Sequence, residues 1–112
     1  MIASRETIFA LSSGAGRAGV AVIRLSGPRS GPVLCALLGR DTMPKPRHAI
    51  YAPIRDPKSH ERLDDAVAIY FQGPASFTGE DVVELHVHGG RAVVEGLLDC
   101  LSRQDGLRVA EP

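Results

Sequence analysis

The chain has 112 residues, of which 44% are hydrophobic and 23% charged, and its formal net charge at pH 7 is zero. These values are typical of one globular domain with a modest core. A net charge of zero argues against a domain whose main role is to bind nucleic acid. Because no apolar run approaches the ~18 residues of a membrane span and no secretory leader opens the chain, we expect a cytoplasmic protein without a membrane segment.

The first two predicted strands flank a glycine-rich segment. Residues 6–13 (ETIFALSS) and 19–26 (GVAVIRLS) have strand composition, and the second has apolar residues on both faces, as central strands do. Between them, GAGRAG (14–19) fits a dinucleotide-binding fingerprint by letter. That fingerprint needs a helix after its glycines to hold a pyrophosphate, whereas a β-branched strand follows here. We therefore interpret the glycines as a turn that leaves space for a ligand or another subunit.

The middle of the chain predicts a short helix followed by a hairpin. The helix is PVLCALLG, with Pro32 at its start and Gly39 at its end. The two hairpin strands are 48–56 (HAIYAPIRD) and 63–73 (LDDAVAIYFQG), and the residues between them have turn chemistry.

The last third predicts a strand, a helix and a strand. These are VVELHVH (82–88), RAVVEGLLDCLSRQ (91–104) and GLRVAE (106–111). The order β-β-α-β-β-β-α-β predicts an α+β domain over residues 1–112, with a mixed, mainly antiparallel sheet and two helices packed on it. Cys35 and Cys100 lie among apolar residues of the two helices, so we expect reduced, buried thiols.

Arg24 is unusual because it lies within an otherwise apolar strand. A buried guanidinium needs a carboxylate or a bound anion, and Glu84, on the polar face of another strand, is a candidate partner. The residues leave open whether the pair is a structural salt bridge or part of a ligand site. A carboxylate beside an apolar wall suits flat heterocycles, such as pterins, that offer an N–H and an amino group side by side.

Glu84, His86 and His88 share one face of their predicted strand because they lie two residues apart. Three interpretations stay open: a metal site, although no third ligand is evident from the spacing; a solvated polar face; or a buried polar pocket. The glycine pair after His88 favours the pocket, because it leaves free amides at a helix start.

Four stretches carry a family resemblance: ETIFALSSGAGRAGVAVIRLSGP, KPRHAIY, LDDAVAIYFQGPASFTGEDVVELHVHGG and GLRVAEP. They resemble the N-terminal domain of the tRNA modification GTPase family MnmE, also called TrmE, over nearly the whole chain. SFTGED followed by VELHVHGG is the most specific part. The glycine segment and HVHGG depart mildly from the usual family pattern. The resemblance implies that the chain is the start of a longer protein whose helical and G domains lie outside this sequence.

The resemblance also implies a fold like the folate-binding domains of aminomethyltransferases and a homodimer formed through this domain. A 5-formyltetrahydrofolate-type ligand would lie near the dimer interface, with Arg24 and Glu84 at the two matching contact positions. A further lysine contact lies outside this sequence. As pocket-lining candidates we add Ser76, Thr78 and Gly79, in the loop before the Glu84 strand.

In the family, the protein acts with a flavoprotein, MnmG (GidA), to modify C5 of the wobble uridine of tRNA, with the folate as one-carbon source. GTP, Mg²⁺ and K⁺ belong to the G domain, so we expect this chain to hydrolyse no GTP and assign it no catalytic residue and no metal site. Two alternatives are a purely structural dimerisation module and a stand-alone folate-dependent one-carbon transferase.

Overall fold

The computed structural model describes residues 6–12, 19–76 and 78–110. Within them, six strands and two helices follow one another in the predicted order. They are β1 (Thr7–Leu11), β2 (Val20–Ser26), α1 (Ser30–Leu38), β3 (Ile50–Arg55), β4 (Arg62–Phe71), β5 (Val82–His88), α2 (Arg91–Ser102) and β6 (Leu107–Val109).

The strands form one sheet in the order β3-β4-β5-β2-β1-β6. Every neighbouring pair is antiparallel except β1 and β6, which are parallel. The prediction of an α+β domain with a mixed, mainly antiparallel sheet is therefore confirmed, as are the central place of β2 and the β3–β4 hairpin. The comparison with aminomethyltransferase domains stays a prediction.

The predicted turn between β1 and β2 lies mostly outside the described residues, since the structure describes only Gly19 of the glycine segment. β2 begins at Val20 and pairs antiparallel with β1. A strand therefore follows the glycines, and the helix that a dinucleotide fingerprint requires is not at this position.

Helix α1 begins two residues before the predicted start. Pro32 is its third residue, a position where the backbone amide has no partner within the helix, so proline is tolerated there. Gly39 ends the helix as predicted, with φ at 69° and ψ at 35°. This left-handed conformation suits glycine because a side chain would be strained there.

Both helices pack on the same face of the sheet, here called the covered face. Its buried residues form one cluster: Phe9, Ala21, Ile23, Leu25, Ile54, Ala66, Ala68, Tyr70, Val83, Leu85 and Val87 from the strands, with Val33, Leu34, Leu37, Val94, Leu97, Cys100 and Leu101 from the helices. Cys100 is fully buried as predicted. The prediction is wrong for Cys35, which is only partly buried because it lies beside the row of Val33, Leu34 and Leu37 that faces the core.

The opposite side of the sheet carries no helix among the described residues and is here called the helix-free face. By the alternation of side chains along each strand, it presents Tyr51 of β3, Val67 and Ile69 of β4, Glu84, His86 and His88 of β5, and Val20, Val22, Arg24 and Ser26 of β2. Neither helix in the described part of the chain is long and apolar enough to cross a membrane.

Candidate functional site on the helix-free face

Arg24 and Glu84 meet in the middle of the helix-free face. The antiparallel register of β2 and β5 places them directly opposite each other, and Nη2 of Arg24 donates to Oε2 of Glu84 at 2.7 Å. The Glu84 side chain is 12% exposed and that of Arg24 is 37% exposed. The pair is therefore partly accessible, mostly through the Arg24 side chain.

His86 completes a three-residue polar cluster. It lies two residues after Glu84 on the same face, and its Nε2 donates to Oε1 of Glu84 at 3.1 Å. Burial by itself raises the pKa of Glu84, but the hydrogen bonds and positive charges of Arg24 and His86 outweigh it and hold the pKa below its ordinary value. Glu84 is therefore an ionised, acceptor-only group near neutral pH, with one oxygen bonded to each partner.

The residues opposite the cluster on the neighbouring strands are apolar. Ala10 of β1 is opposite Arg24, and Ile69 of β4 is opposite Glu84. Each of these neighbours is only partly buried. The cluster thus has a small apolar residue beside Arg24 and a larger one beside Glu84.

The loop between β4 and β5 closes one end of this area. Ser26, two residues from Arg24 on the same face, lies 2.9 Å from Thr78 through their hydroxyl oxygens. Its hydroxyl is also 3.3 Å from a carboxylate oxygen of Glu80. The structure therefore places the predicted Thr78 against Ser26, two residues from Arg24 along β2, together with Glu80; the sequence did not single out Ser26 or Glu80.

Ser76 and Gly79 have other positions in the same loop. The Ser76 hydroxyl donates to the carbonyl of Glu80, and Ser76 lines a separate cavity with Arg47 and Phe71. Gly79 has φ at 80°, a left-handed conformation that the turn requires. These two residues shape the loop, and among the described contacts neither touches Arg24 or Glu84.

Asp81 fastens the loop at its base. Its carboxylate accepts the Gly73 amide at 2.9 Å, and its backbone carbonyl accepts the Gly27 amide at 2.9 Å and the Ser30 hydroxyl at 3.2 Å. The loop is thereby tied both to its own start and to the turn that follows β2. This explains how a loop of irregular structure holds Thr78 over Ser26.

His88 differs from His86 although both lie on one face of β5. Its side chain is 69% exposed, and both its amide and its Nδ1 lie 2.9 Å from the carboxylate of Asp64. In residues 6–12, 19–76 and 78–110, no group of three His, Cys, Asp or Glu side chains is arranged to hold a metal ion. The two histidines are therefore engaged by different carboxylates.

Comparison with known proteins shows the family. Residues 7–112 match the family described as the N-terminus of the GTP-binding protein TrmE. The chain belongs to the TrmE N-terminal family.

Curated relatives agree with this family assignment. The chain is 57% identical over 107 residues to the tRNA modification GTPase MnmE of Parvibaculum lavamentivorans, covering 96% of this chain and 24% of that protein. It is 56% identical over 108 residues to the mitochondrial 5-taurinomethyluridine-[tRNA] synthase subunit GTPB3 of Homo sapiens, covering 96% and 22%. The chain thus spans about a quarter of the length of these relatives.

In this TrmE-family domain, the sequence correctly pointed to a contact between Arg24 and Glu84 but missed the groups around it. The bond between His86 and Glu84 could have been inferred from their spacing on one strand face. Ser26 and Asp81 had no comparable signal, because their partners lie on segments far apart in the chain.

Proposed function

We propose that this chain is the tetrahydrofolate-binding and homodimerisation domain of a GTPase that modifies tRNA. The observation that carries the proposal is the Arg24–Glu84 pair, accessible on the helix-free face and bounded by apolar neighbours. Membership of the TrmE N-terminal family supports it, as do relatives whose names describe tRNA modification GTPases.

Glu84 has the chemistry to recognise a pterin edge. Each oxygen of an ionised carboxylate has lone pairs for more than one hydrogen bond, so the bonds from Arg24 and His86 leave capacity on both oxygens. A pterin offers a ring N–H and an amino group in parallel, which a carboxylate accepts in a bidentate manner. Arg24 holds the carboxylate in place and presents the rest of its guanidinium to polar atoms of the ligand.

The helix-free face also suits a contact between two copies of the chain. Two of its large apolar side chains are exposed, Tyr51 at 70% and Val20 at 56%. Exposed apolar groups on one side of a sheet are a feature of interaction surfaces. We propose that a second copy covers part of this face and leaves the Arg24–Glu84 pair beside the interface.

The activity of the whole protein is part of the same proposal. With the flavoprotein MnmG as partner, it would modify C5 of the wobble uridine of tRNA in the cytoplasm, with the folate as one-carbon donor. GTP, Mg²⁺ and K⁺ would bind in a G domain outside this chain. The domain described here would supply the folate site and the dimer contact.

A purely structural module is the second candidate. The exposed apolar residues favour it, since the Arg24–Glu84 pair could serve an interface and bind no ligand. The two candidates differ in one respect that can be measured: only the first requires folate to bind at Glu84.

Calorimetry with 5-formyltetrahydrofolate on the full-length protein separates them. The wild type should bind, and Glu84→Gln should lose about 1.5–3 kcal/mol, roughly ten- to hundredfold in affinity, because a hydrogen bond to a charged group is removed. Glu95→Gln is the matched control, since the Glu95 side chain is 70% exposed on α2 and its variant should bind as the wild type does. Absence of binding to the wild type, or unchanged binding by Glu84→Gln, would refute the folate site.

A further inference from the structure

The Lys and Arg side chains of the domain differ in whether an acid neutralises them. In the residues that the structure describes, the side chains that form ion pairs with acids are those of Arg24, Arg62, Arg91, Arg103 and Arg108. Of the Lys and Arg residues that have no ion pair there, four lie close together in the sequence: Lys45, Arg47, Arg55 and Lys58. The zero net charge of the chain therefore conceals an uneven distribution.

The stretch that contains these four residues is basic. Residues 45–62 have five Lys or Arg against two Asp or Glu, whereas the rest of the chain has eight against eleven. One of the two acids, Asp56, is buried and bonded to Arg103 of α2, so its charge is offset from outside the stretch. The other, Glu61, is exposed in the turn after β3. The positive charge is thus concentrated in one part of the domain.

The fold places these four cations, here called the basic edge, along one border of the sheet. Strand β3 is an edge strand, with β4 as its neighbour on one side. Lys45 and Arg47 precede β3, Arg55 is its last residue, and Lys58 lies in the following turn. All four are exposed. From Arg47 to Arg55 the chain spans at most about 26 Å when extended, so the charges border a whole side of the domain.

Neutral groups hold two of the guanidiniums in place. Nη2 of Arg47 donates to the carbonyl of Ala75 at 2.6 Å, and the Arg47 guanidinium lies 5.6 Å from the centroid of the Phe71 ring. Nη1 of Arg55 donates to the carbonyl of His60 at 3.1 Å. A carbonyl or an aromatic ring orients a guanidinium without cancelling its charge. Each guanidinium has five N–H donors, so most remain for an acceptor outside the domain.

Protection of the sheet edge does not account for this pattern. Natural sheets use charged side chains and proline to prevent an edge strand from pairing with another chain. Pro53, in the middle of β3, serves that purpose because it lacks a backbone N–H. Protection requires charge within the strand and is indifferent to its sign. The basic edge has a single sign, and Lys45, Arg47 and Lys58 lie beyond the ends of β3.

We propose that the basic edge binds the phosphate backbone of RNA. The inference rests on the proposed function, in which tRNA is the substrate of the whole protein, and it adds the surface of this domain that contacts the tRNA. Contacts from Lys and Arg to phosphates carry no sequence information, but they position a nucleic acid. Four cations make a modest contact, in keeping with a domain of zero net charge. The basic edge therefore helps to position the tRNA.

The test measures the affinity of the full-length protein for a labelled tRNA by fluorescence anisotropy at several salt concentrations. Lys45→Gln and Lys58→Gln should each weaken binding roughly two- to fivefold at low salt. The slope of log affinity against log salt should fall by about one for each cation removed. A tRNA with a wobble uridine and one without it should be affected equally, because phosphate contacts are independent of sequence.

Arg91→Gln is the matched control. It removes the same charge from a side chain that is 85% exposed on α2, outside the basic edge, and should leave both the affinity and the salt slope unchanged. Calorimetry with 5-formyltetrahydrofolate on all three variants provides a second readout. Each variant should bind the folate as the wild type does, which shows that the domain is folded and keeps the folate site separate from the basic edge.

Three outcomes would overturn the inference. If the wild type binds no tRNA, the tRNA part of the proposed function fails and this inference fails with it. If the wild type binds tRNA but Arg91→Gln weakens binding as much as Lys45→Gln and Lys58→Gln, the effect is one of net charge and the inference alone fails. It also fails alone if the two lysine variants leave tRNA binding unchanged, and self-association of these variants in sedimentation would then show that the charges only protect the sheet edge.

Discussion

The two faces of the sheet are built from the same strands but have opposite properties. On β5, Val83, Leu85 and Val87 are buried beneath the helices, whereas Glu84 and His86 alternate with them on the open side. On β2, Ile23 and Leu25 are fully buried while Arg24 is partly exposed between them. The covered face supplies the burial that stabilises the domain, and the helix-free face is left to hold polar groups in a fixed geometry.

The comparison teaches that the rigidity of the candidate site comes from the opposite face. The side chains of Arg24 and Glu84 meet because the core fixes the register of β2 and β5. A slip of one residue would move the apolar side chains of a strand to the open side and is therefore opposed by the whole core. The core therefore positions Arg24 and Glu84 even if their ion pair adds little to the free energy of unfolding.

The largest expected effect compares adjacent residues of β5. Leu85→Ala should lower the free energy of unfolding by about 2–5 kcal/mol, because it leaves a cavity in the core. His86→Ala should lower it by only about 1 kcal/mol, since it removes one hydrogen bond at a partly exposed position. Urea unfolding monitored by circular dichroism measures both, and equal losses would show that the two faces do not differ as described.

The strands and the contact between Arg24 and Glu84 could be predicted from the sequence, because each leaves a local pattern of apolar and charged residues. Apolar alternation indicated the strands, and Arg24 attracted attention because a lone cation in an apolar strand needs a partner. The strand order could not be derived, because nothing local shows that β5 lies beside β2, about 60 residues earlier. The Ser26–Thr78 contact depends on that order, so it appeared only in the structure.

The next prediction concerns the ionisation of the Glu84 carboxyl on the helix-free face. In Arg24→Gln, burial acts on the Glu84 carboxyl with only His86 opposing it, so the pKa of Glu84 should rise above its wild-type value. In the wild type, the lowered pKa gives a stabilisation that is present above the ordinary glutamate range and is lost as the pH falls below about 4. Carbon-13 NMR titration of the side-chain carboxyl measures the shift.

A control within the same spectrum is Asp56, in the turn between β3 and β4. The backbone amide of Lys58 is the main reason that the pKa of Asp56 is lowered, with Arg103 also contributing. It should therefore titrate identically in both proteins. An unchanged titration of Glu84 in Arg24→Gln would mean that the guanidinium does not control the carboxylate.

The smallest predicted effect is a difference in reactivity between the thiols of Cys35 and Cys100, on the two helices that cover the sheet. Burial raises the pKa of the Cys100 thiol to about 11, and burial also raises that of the partly exposed Cys35. A thiol reagent at pH 8 should modify Cys35 slowly and leave Cys100 unmodified in the folded chain, as mass spectrometry of peptides would show. Both should react at similar rates in urea, and rapid reaction of Cys100 in the folded chain would show that the core is open.

The most direct test of the central claim is a methyl NMR titration of the protein with 5-formyltetrahydrofolate. If a folate binds on the helix-free face, the methyl signals of Val20, Val22 and Val67 should shift through the ring currents of the ligand, while those of Val83 and Leu85 stay in place. Shifts confined to the covered face and its helices, or no shifts at saturating ligand, would contradict the claim that Arg24 and Glu84 form a folate site.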